Sequence, residues 1–262
     1  MLITLTTDFG LRDSFVGTMK GVIAAINPQA RVIDVTHGIP AQDVMAGALT
    51  LRHSIRYFPR GAIHVAVVDP GVGSARRPIL IRCDATCLIG PDNGVLSLAA
   101  GVLKPVHIVE LSNPAYRLQP SSTTFHGRDI FAPAAAHLSL GVAPAAFGMK
   151  LDDFFKLALP EPVRRHDTLE GEIIYIDAFG NLFTNIEEHE LTGWPGDRVE
   201  IAVGPVHISG ISPHYAAAAT GGYVALVNSW GLLEIAVNKG NAQQSSGAAV
   251  GDKVTAVFCG GR

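Results

Sequence analysis

Residues 62–78 read AIHVAVVDPGVGSARRP, an apolar run from Ala62 to Val68 that stops at an acid, turns through two glycines and ends on two arginines. The run does not alternate apolar with polar positions, so it suits a strand covered on both faces. Such strands belong to parallel sheets, whose crossover connections lay helices on either side.

The flanking sequence agrees. Leu2 to Thr7 reads as a strand, and Ser14 to Ile26 as a helix with Phe15, Met19, Val22, Ile23 and Ile26 at helical spacing before Asn27-Pro28. RVIDVTHG (31–38) gives a strand, Asp43 to Tyr57 a helix, and Pro78 followed by ILIR a further strand. After Arg128 an alanine-rich helix runs to about Leu140, with Asp129 placed before it to complement its dipole. The first half is expected to be an α/β domain with a mostly parallel sheet.

LALPEPVRRHDTLEG then brings two prolines, charges and no periodicity, an expected linker near residues 158–168 between domains at 1–160 and 168–262. Beyond it come short β-like runs at close spacing: EGEIIYID, NLFTNI, VEIAV, VHIS, YVALVN, LLEIAVN and DKVTAVF. Gly, Asn, Pro and Asp turns separate them, which favours a smaller antiparallel sandwich or barrel.

The chain has 262 residues, 48% of them hydrophobic, enough to fill cores of this size. With 20 basic against 23 acidic residues it lacks the basic excess of a nucleic-acid reader. Cys83, Cys87 and Cys259 are odd in number, and the first two adjoin apolar runs, so buried free thiols are expected rather than a four-ligand zinc site. MLITLTTDFG meets an acid at Asp8 and lacks the form of a signal peptide. No apolar run is long enough for a membrane helix, so the expected location is cytoplasmic.

Asp8, Asp69 and the turn at His37 all fall at the carboxyl ends of strands, where the loops of an α/β sheet converge on ligands. DPGVGSARRP has neither the three glycines of a dinucleotide fingerprint nor the Gly-Lys-Ser/Thr ending of a P-loop. It is either a plain turn followed by two solvated arginines, or a turn that folds Asp69 against Arg76. In TTFHGRD, His126 reads as a packing or capping residue or as a catalyst, and His126-x-x-Asp129 is too sparse for a metal. IDAFGNLFTNI (176–186) is an ordinary turn with Phe179 and Phe183 in the core, or a stacking platform with the Asn181 amide beside it. In NSWGLLEIAVN (228–238), Glu234 is the outward residue of an alternating strand, or an enclosed acid that fixes a purine edge.

TTDFG, VTHGI, VVDPGVGSARRP, GPDNGVL, TTFHGRDIFAPAAAHL, YIDAFGNLFTNI and NSWGLLEIAVN, taken in order, resemble the S-adenosylmethionine (SAM) hydroxide adenosyltransferases, or SAM hydrolases, relatives of the fluorinase and chlorinase. The resemblance implies an N-terminal α/β domain, a C-terminal β-barrel domain, and a homotrimer that binds SAM between the N-terminal domain of one subunit and the C-terminal domain of its neighbour. It implies attack of water or hydroxide on the ribose C5′, giving adenosine and L-methionine, with no metal or other cofactor. The water-activating Asp, Arg and His carry over onto Asp69, Arg76 and His126.

The resemblance further implies that Asp8 takes the ribose hydroxyls, Phe179 and Tyr215 flank the adenine, and Asn181 and the main chain near Val237 meet its edge. Ser229 and Glu234 would line the adenosine pocket, and Asp13 and Asp177 are candidates for the methionine ammonium. A sulfonium is a good leaving group, so the site must mainly hold a water in line with the C5′–S bond. On this expectation His126 accepts the water's proton, Asp69 orients the water or the histidine, and Arg76 favours the developing hydroxide. Gln42 in place of a stacking Trp, Gly127 in place of a halide-binding Ser, and Trp230 in place of an Arg depart from the halogenases. The rival readings are a halogenase and a SAM or adenosine sensor without turnover.

Overall fold

The structure, a computed structural model, describes residues 1–260. The chain divides into two compact units, Met1–Leu157 and a second that begins at Ala158.

The first unit holds seven strands, β1 (Leu2–Thr7), β2 (Arg31–Thr36), β3 (Ile63–Val67), β4 (Pro78–Cys83), β5 (Thr86–Pro91), β6 (His107–Glu110) and β7 (Lys150–Leu151). They form one sheet in the order β2-β1-β3-β5-β4-β6-β7. Pairing is parallel from β2 through β5, while β4 and β7 run against their neighbours, so the sheet is mostly parallel. Every residue of β3 is buried, as its largely apolar character dictates, and the one polar side chain, His64, meets Thr4 Oγ1 through Nδ1 at 2.8 Å.

Four helices cover the two faces: α1 (Phe15–Ile26), α2 (Val44–Ser54), α3 (Ser97–Leu103) and α4 (Ala132–Ser139). On one face α1 and α4 close over Ile3, Leu5, Val65, Val67 and Leu80, and the small side chains of α4 let it approach closely. On the other, α2 comes so near that a Cβ on Gly47 would lie 2.9 Å from Val68 Cγ2. Asp43 starts α2 by accepting a hydrogen bond from the Ala46 N–H at 2.8 Å.

The alanine-rich helix begins later than the sequence pattern predicts. Gly127–Phe131 wind as a wider π turn before α4, and Asp129 lies inside that turn, 1% exposed, instead of capping the helix. Burial would push its carboxyl up, but hydrogen bonds from Arg128 and the Ser122 N–H outweigh this and hold it below its ordinary value. Cys83 and Cys87 are buried thiols pushed up by burial to about 12 and about 11, whereas Cys259 is exposed, contrary to expectation.

The second unit holds β8 (Val163–Arg165), β9 (Thr168–Ile176), β10 (Leu182–Glu187), β11 (Val199–Val203), β12 (Val206–Ser209), β13 (Tyr223–Val227), β14 (Leu232–Val237), the short helix α5 (Ala242–Ser246) and β15 (Lys253–Phe258). The antiparallel order is β12-β11-β15-β9-β10-β14-β13, with β8 on β9. Residues 163–165, inside the stretch read as a linker, are thus part of this sheet.

β9 pairs with β15 through residues 168–172 and with β10 through 173–176. It changes partner just after Gly171, where a Cβ would lie 2.4 Å from Asn185 Oδ1, so only glycine admits that close approach. Just past β12, the Ser212 N–H donates to the Ala225 carbonyl of β13 at 2.7 Å, so the two ends of the sheet meet and a near-barrel results. Ile173, Ile186, Ile201, Leu233, Ile235 and Val254 fill its core. Among the described residues no helix is long and apolar enough to cross a membrane.

Candidate active site

Asp69 stands two residues beyond the end of β3, and the chain turns there through hydrogen bonds from Val72 N to Asp69 O and from Ser74 N to Gly71 O. Gly73 has φ +79°, and a Cβ on it would lie 2.3 Å from the Thr123 carbonyl oxygen. Only glycine fits there, and the turn is thereby laid against the segment that leads to His126.

Arg76 folds back onto Asp69. Its Nε donates to Oδ1 at 2.9 Å and its Nη2 to Oδ2 at 2.5 Å, a bidentate pair whose side chains are 8% and 5% exposed. The same Nη2 lies 2.6 Å from His126 Nδ1, and the guanidinium stands 5.6 Å from the Phe131 ring centre. Arg76 Nη1 is buried and has no hydrogen-bond partner among the described residues. The turn therefore does bring Asp69, Arg76 and His126 together.

The contact at Nδ1 fixes the state of the histidine. A guanidinium has only donors, so Nδ1 must accept, and a neutral imidazole then carries its proton on Nε2. Burial first, and next the Arg76 charge, hold His126 below the ordinary histidine range, with Asp69 and Asp129 acting the other way. His126 thus offers a donor at Nε2 and has no free lone pair.

Asp69 and His126 line a cavity of about 110 Å³, room for several water molecules, walled by Val67, Phe9, Phe15 and Phe125. The three phenylalanine rings lie 5.1–6.0 Å apart, centre to centre. The sequence reading missed this aromatic wall. Its signal was position: Phe9 directly follows Asp8, and Phe125 directly precedes His126.

Asp8 sits one residue past β1, and its Oδ2 accepts from the Gln42 N–H at 2.8 Å. Asp13 is exposed in the turn before α1. His37 is buried below these loops, its Nδ1 2.8 Å from Thr7 Oγ1 and its Nε2 3.1 Å from Asp34 Oδ1. Arg77 is not one of a solvated pair: it bridges Asp92 and Asp153 and ties down the chain after β7.

The remaining candidates belong to the second unit. Asp177 organises its own turn, with Oδ1 accepting from the Phe179 and Asn181 N–H groups, each at 2.9 Å, and Oδ2 from Asn181 Nδ2 at 3.0 Å. Packing of Asn241 against Gly180 leaves no space for a Cβ there and stiffens the turn. It presents Phe179 to the surface, 76% exposed, while Phe183 is buried in the core. Ser229 is exposed between β13 and β14, and Val237, buried at the end of β14, gives its carbonyl to the Gly240 N–H.

Glu234 is fully buried in the middle of β14, so it is not the outward residue of an alternating strand. Its Oε1 accepts from the Tyr215 hydroxyl at 2.9 Å, and among the described residues Oε2 lies near Asn228 but makes no well-formed hydrogen bond. Burial pushes its carboxyl up, Tyr215 and Asn228 pull it down, and the nearby Asp177 charge pushes it up again. Tyr215 and Glu234 are thus hydrogen-bonded, the Asp177 charge acts on both, and Tyr215 is half-exposed.

The model of the SAM hydroxide adenosyltransferase N-terminal domain matches residues 3–148, and that of the C-terminal domain matches residues 171–255. The chain is similar to the (R)-S-adenosyl-L-methionine hydrolase of Salinispora arenicola, at 41% identity over 96% of each chain. Similarity to the fluorinase of Nocardia brasiliensis is lower, 27% over 90% of each. The crystal structure of an uncharacterized conserved protein from Thermotoga maritima superposes with a TM-score of 0.91 at 35% identity, covering 98% of this chain and 100% of that one. The chain belongs to the SAM hydroxide adenosyltransferase family.

Proposed function

We propose that the protein hydrolyses SAM to adenosine and L-methionine. Water attacks the ribose C5′, the C5′–S bond breaks with its electron pair going to sulfur, methionine leaves as a neutral thioether, and one proton is released. The observation that carries this is the Asp69–Arg76–His126 cluster beside a small cavity with an aromatic wall.

In this reading His126 Nε2–H and the unpartnered Arg76 Nη1 both donate to the attacking oxygen and favour its hydroxide form. Asp69, the one member of the three with acceptor capacity left, takes the proton. The three titrate as one coupled group. Asp8 holds the ribose hydroxyls; Phe179 and Tyr215 flank the adenine; Asn181, Glu234, Ser229 and the main chain at Val237 meet its edges; and Asp13 and Asp177 serve the methionine ammonium. Both oxygens of Asp177 already brace its turn, which makes Asp13 the freer of the two. Residues of the first unit thus act on the ribose and the reacting carbon and those of the second on the adenine, contributed by different subunits of a homotrimer.

Two measurements test the proposal. Incubation with each sulfonium epimer of SAM in ¹⁸O-water and excess chloride is expected to give adenosine labelled at the 5′ hydroxyl; unlabelled adenosine, a 5′-chloro product or no turnover would overturn it. Light scattering is expected to give three times the 27.6 kDa chain mass, and a monomer would remove the shared site.

A further inference from the structure

Five non-glycine residues among those described have a left-handed backbone: Gln42, Asp84, Lys104, His166 and Lys239. Asp84 and His166 lie in two-residue hairpin turns, Lys104 ends α3 and Lys239 follows β14, all places where the chain must reverse or stop. Gln42 too lies in a turn, Pro40–Asp43, closed by the Asp43 N–H on the Pro40 carbonyl at 3.0 Å, but it differs in where its own N–H goes. At φ +67° it stands just before α2, with its side chain exposed, and its N–H is aimed at Asp8 Oδ2 at 2.8 Å. A left-handed backbone at such a residue costs on the order of 1 kcal/mol or more and persists where the surroundings impose it.

The surroundings here are two loops tied to each other. The Gly10 N–H donates to the His37 carbonyl at 2.8 Å, and the Ile39 N–H to the Thr7 carbonyl at 3.4 Å, so the loop after β2 brackets the loop after β1 on both sides of Asp8. Below them Thr7 Oγ1 accepts from the Phe9 N–H and meets His37 Nδ1, which fixes the start of the Asp8 loop from beneath.

We infer that the main chain at Gln42 is a positioning element for Asp8: its left-handed conformation delivers one N–H to one carboxylate oxygen and leaves the other turned to a ligand's vicinal hydroxyls. This rests on the reading of Asp8 as the ribose ligand. The Gln42 side chain takes no part, so the residue matters through its backbone alone.

The test uses the full chain, steady-state hydrolysis of SAM, and calorimetric binding of adenosine against 2′-deoxyadenosine. Gln42→Val keeps the N–H but resists the left-handed backbone, and is expected to raise KM about tenfold, to change kcat by less than about threefold, and to shrink the preference for adenosine about fivefold. Gln42→Gly, which accepts the conformation, and Gln42→Ala, which removes only the side chain, should stay within about twofold of the parent in KM. A raised KM in the glycine and alanine variants, or none in the valine variant, overturns the inference. Should Gln42→Val not fold, Gln42→Thr, β-branched as well, takes its place in the same comparison, and a raised KM in the glycine and alanine variants still overturns the inference. Asp8→Asn separates the two layers: if it leaves the preference for adenosine intact, the ribose reading fails, whereas preference lost in Asp8→Asn and kept in Gln42→Val fails the Gln42 inference alone.

Discussion

Arg76→Ala is expected to lower kcat for SAM about a thousandfold and to cost roughly 3 kcal/mol of folding stability, measured by steady-state kinetics and by urea denaturation. Both effects follow from what the guanidinium holds. It is the bidentate partner of Asp69, whose side chain is 5% exposed, so its removal leaves a carboxylate buried and unpaired. It also occupies His126 Nδ1, and without it the imidazole is free to take the other tautomer, with its donor on Nδ1 instead of Nε2.

Arg76→Lys separates the two losses. An ammonium restores charge to Asp69 but cannot fork to both carboxylate oxygens and still reach the histidine. Stability should therefore recover by more than half while kcat remains about a hundredfold down. Equal recovery of both would mean that charge alone matters and that the hydrogen bond to His126 has no part in turnover. Arg77, one residue on, offers the contrast: its bonds go to Asp92 and Asp153, away from the cavity.

Much of this arrangement was legible because each feature had a local cause. The largely apolar run of β3, without alternation, announced a strand covered on both faces, and the change to short runs after residue 168 announced an antiparallel sheet. Asp69, Gly73 and Arg76 lie within eight residues, and a tight turn is a local event, so their meeting could be anticipated. His126 could not be joined to them by spacing, because the contact spans fifty residues and depends on how the 121–126 segment lies over the Gly73 turn. The aromatic wall was hidden for the same reason: three phenylalanines from three segments look like ordinary core until the fold sets them beside a carboxylate. Glu234 was misread in part because strand alternation assumes one wet face, and in a small closed barrel a position that alternates correctly can still be enclosed.

That enclosure makes Glu234→Gln informative, because its two effects should have opposite signs. A carboxyl whose folded value is raised above its ordinary 4.5 binds its proton more tightly folded than unfolded, so its contribution to stability is full below about 4.5 and is lost as pH rises through the folded value. Burial of the whole side chain gives that loss its structural basis, against the opposing pull of Tyr215 and Asn228. Glutamine keeps the shape, and its amide oxygen can still accept from the Tyr215 hydroxyl, but it carries no charge to desolvate. The difference in stability between variant and parent is therefore expected to be near zero at pH 4 and to grow above it, reaching about 1–2 kcal/mol in favour of the variant at neutral pH by chemical denaturation. Adenosine binding should move the other way. If Oε2 accepts an amino N–H of the adenine edge, removing the charge weakens Kd by about tenfold or more. A side chain that served only to brace Tyr215 would leave affinity close to the parent, and one that served only the barrel would lose or gain both properties together. Gain of stability with loss of affinity is the outcome that assigns the buried carboxylate to the ligand.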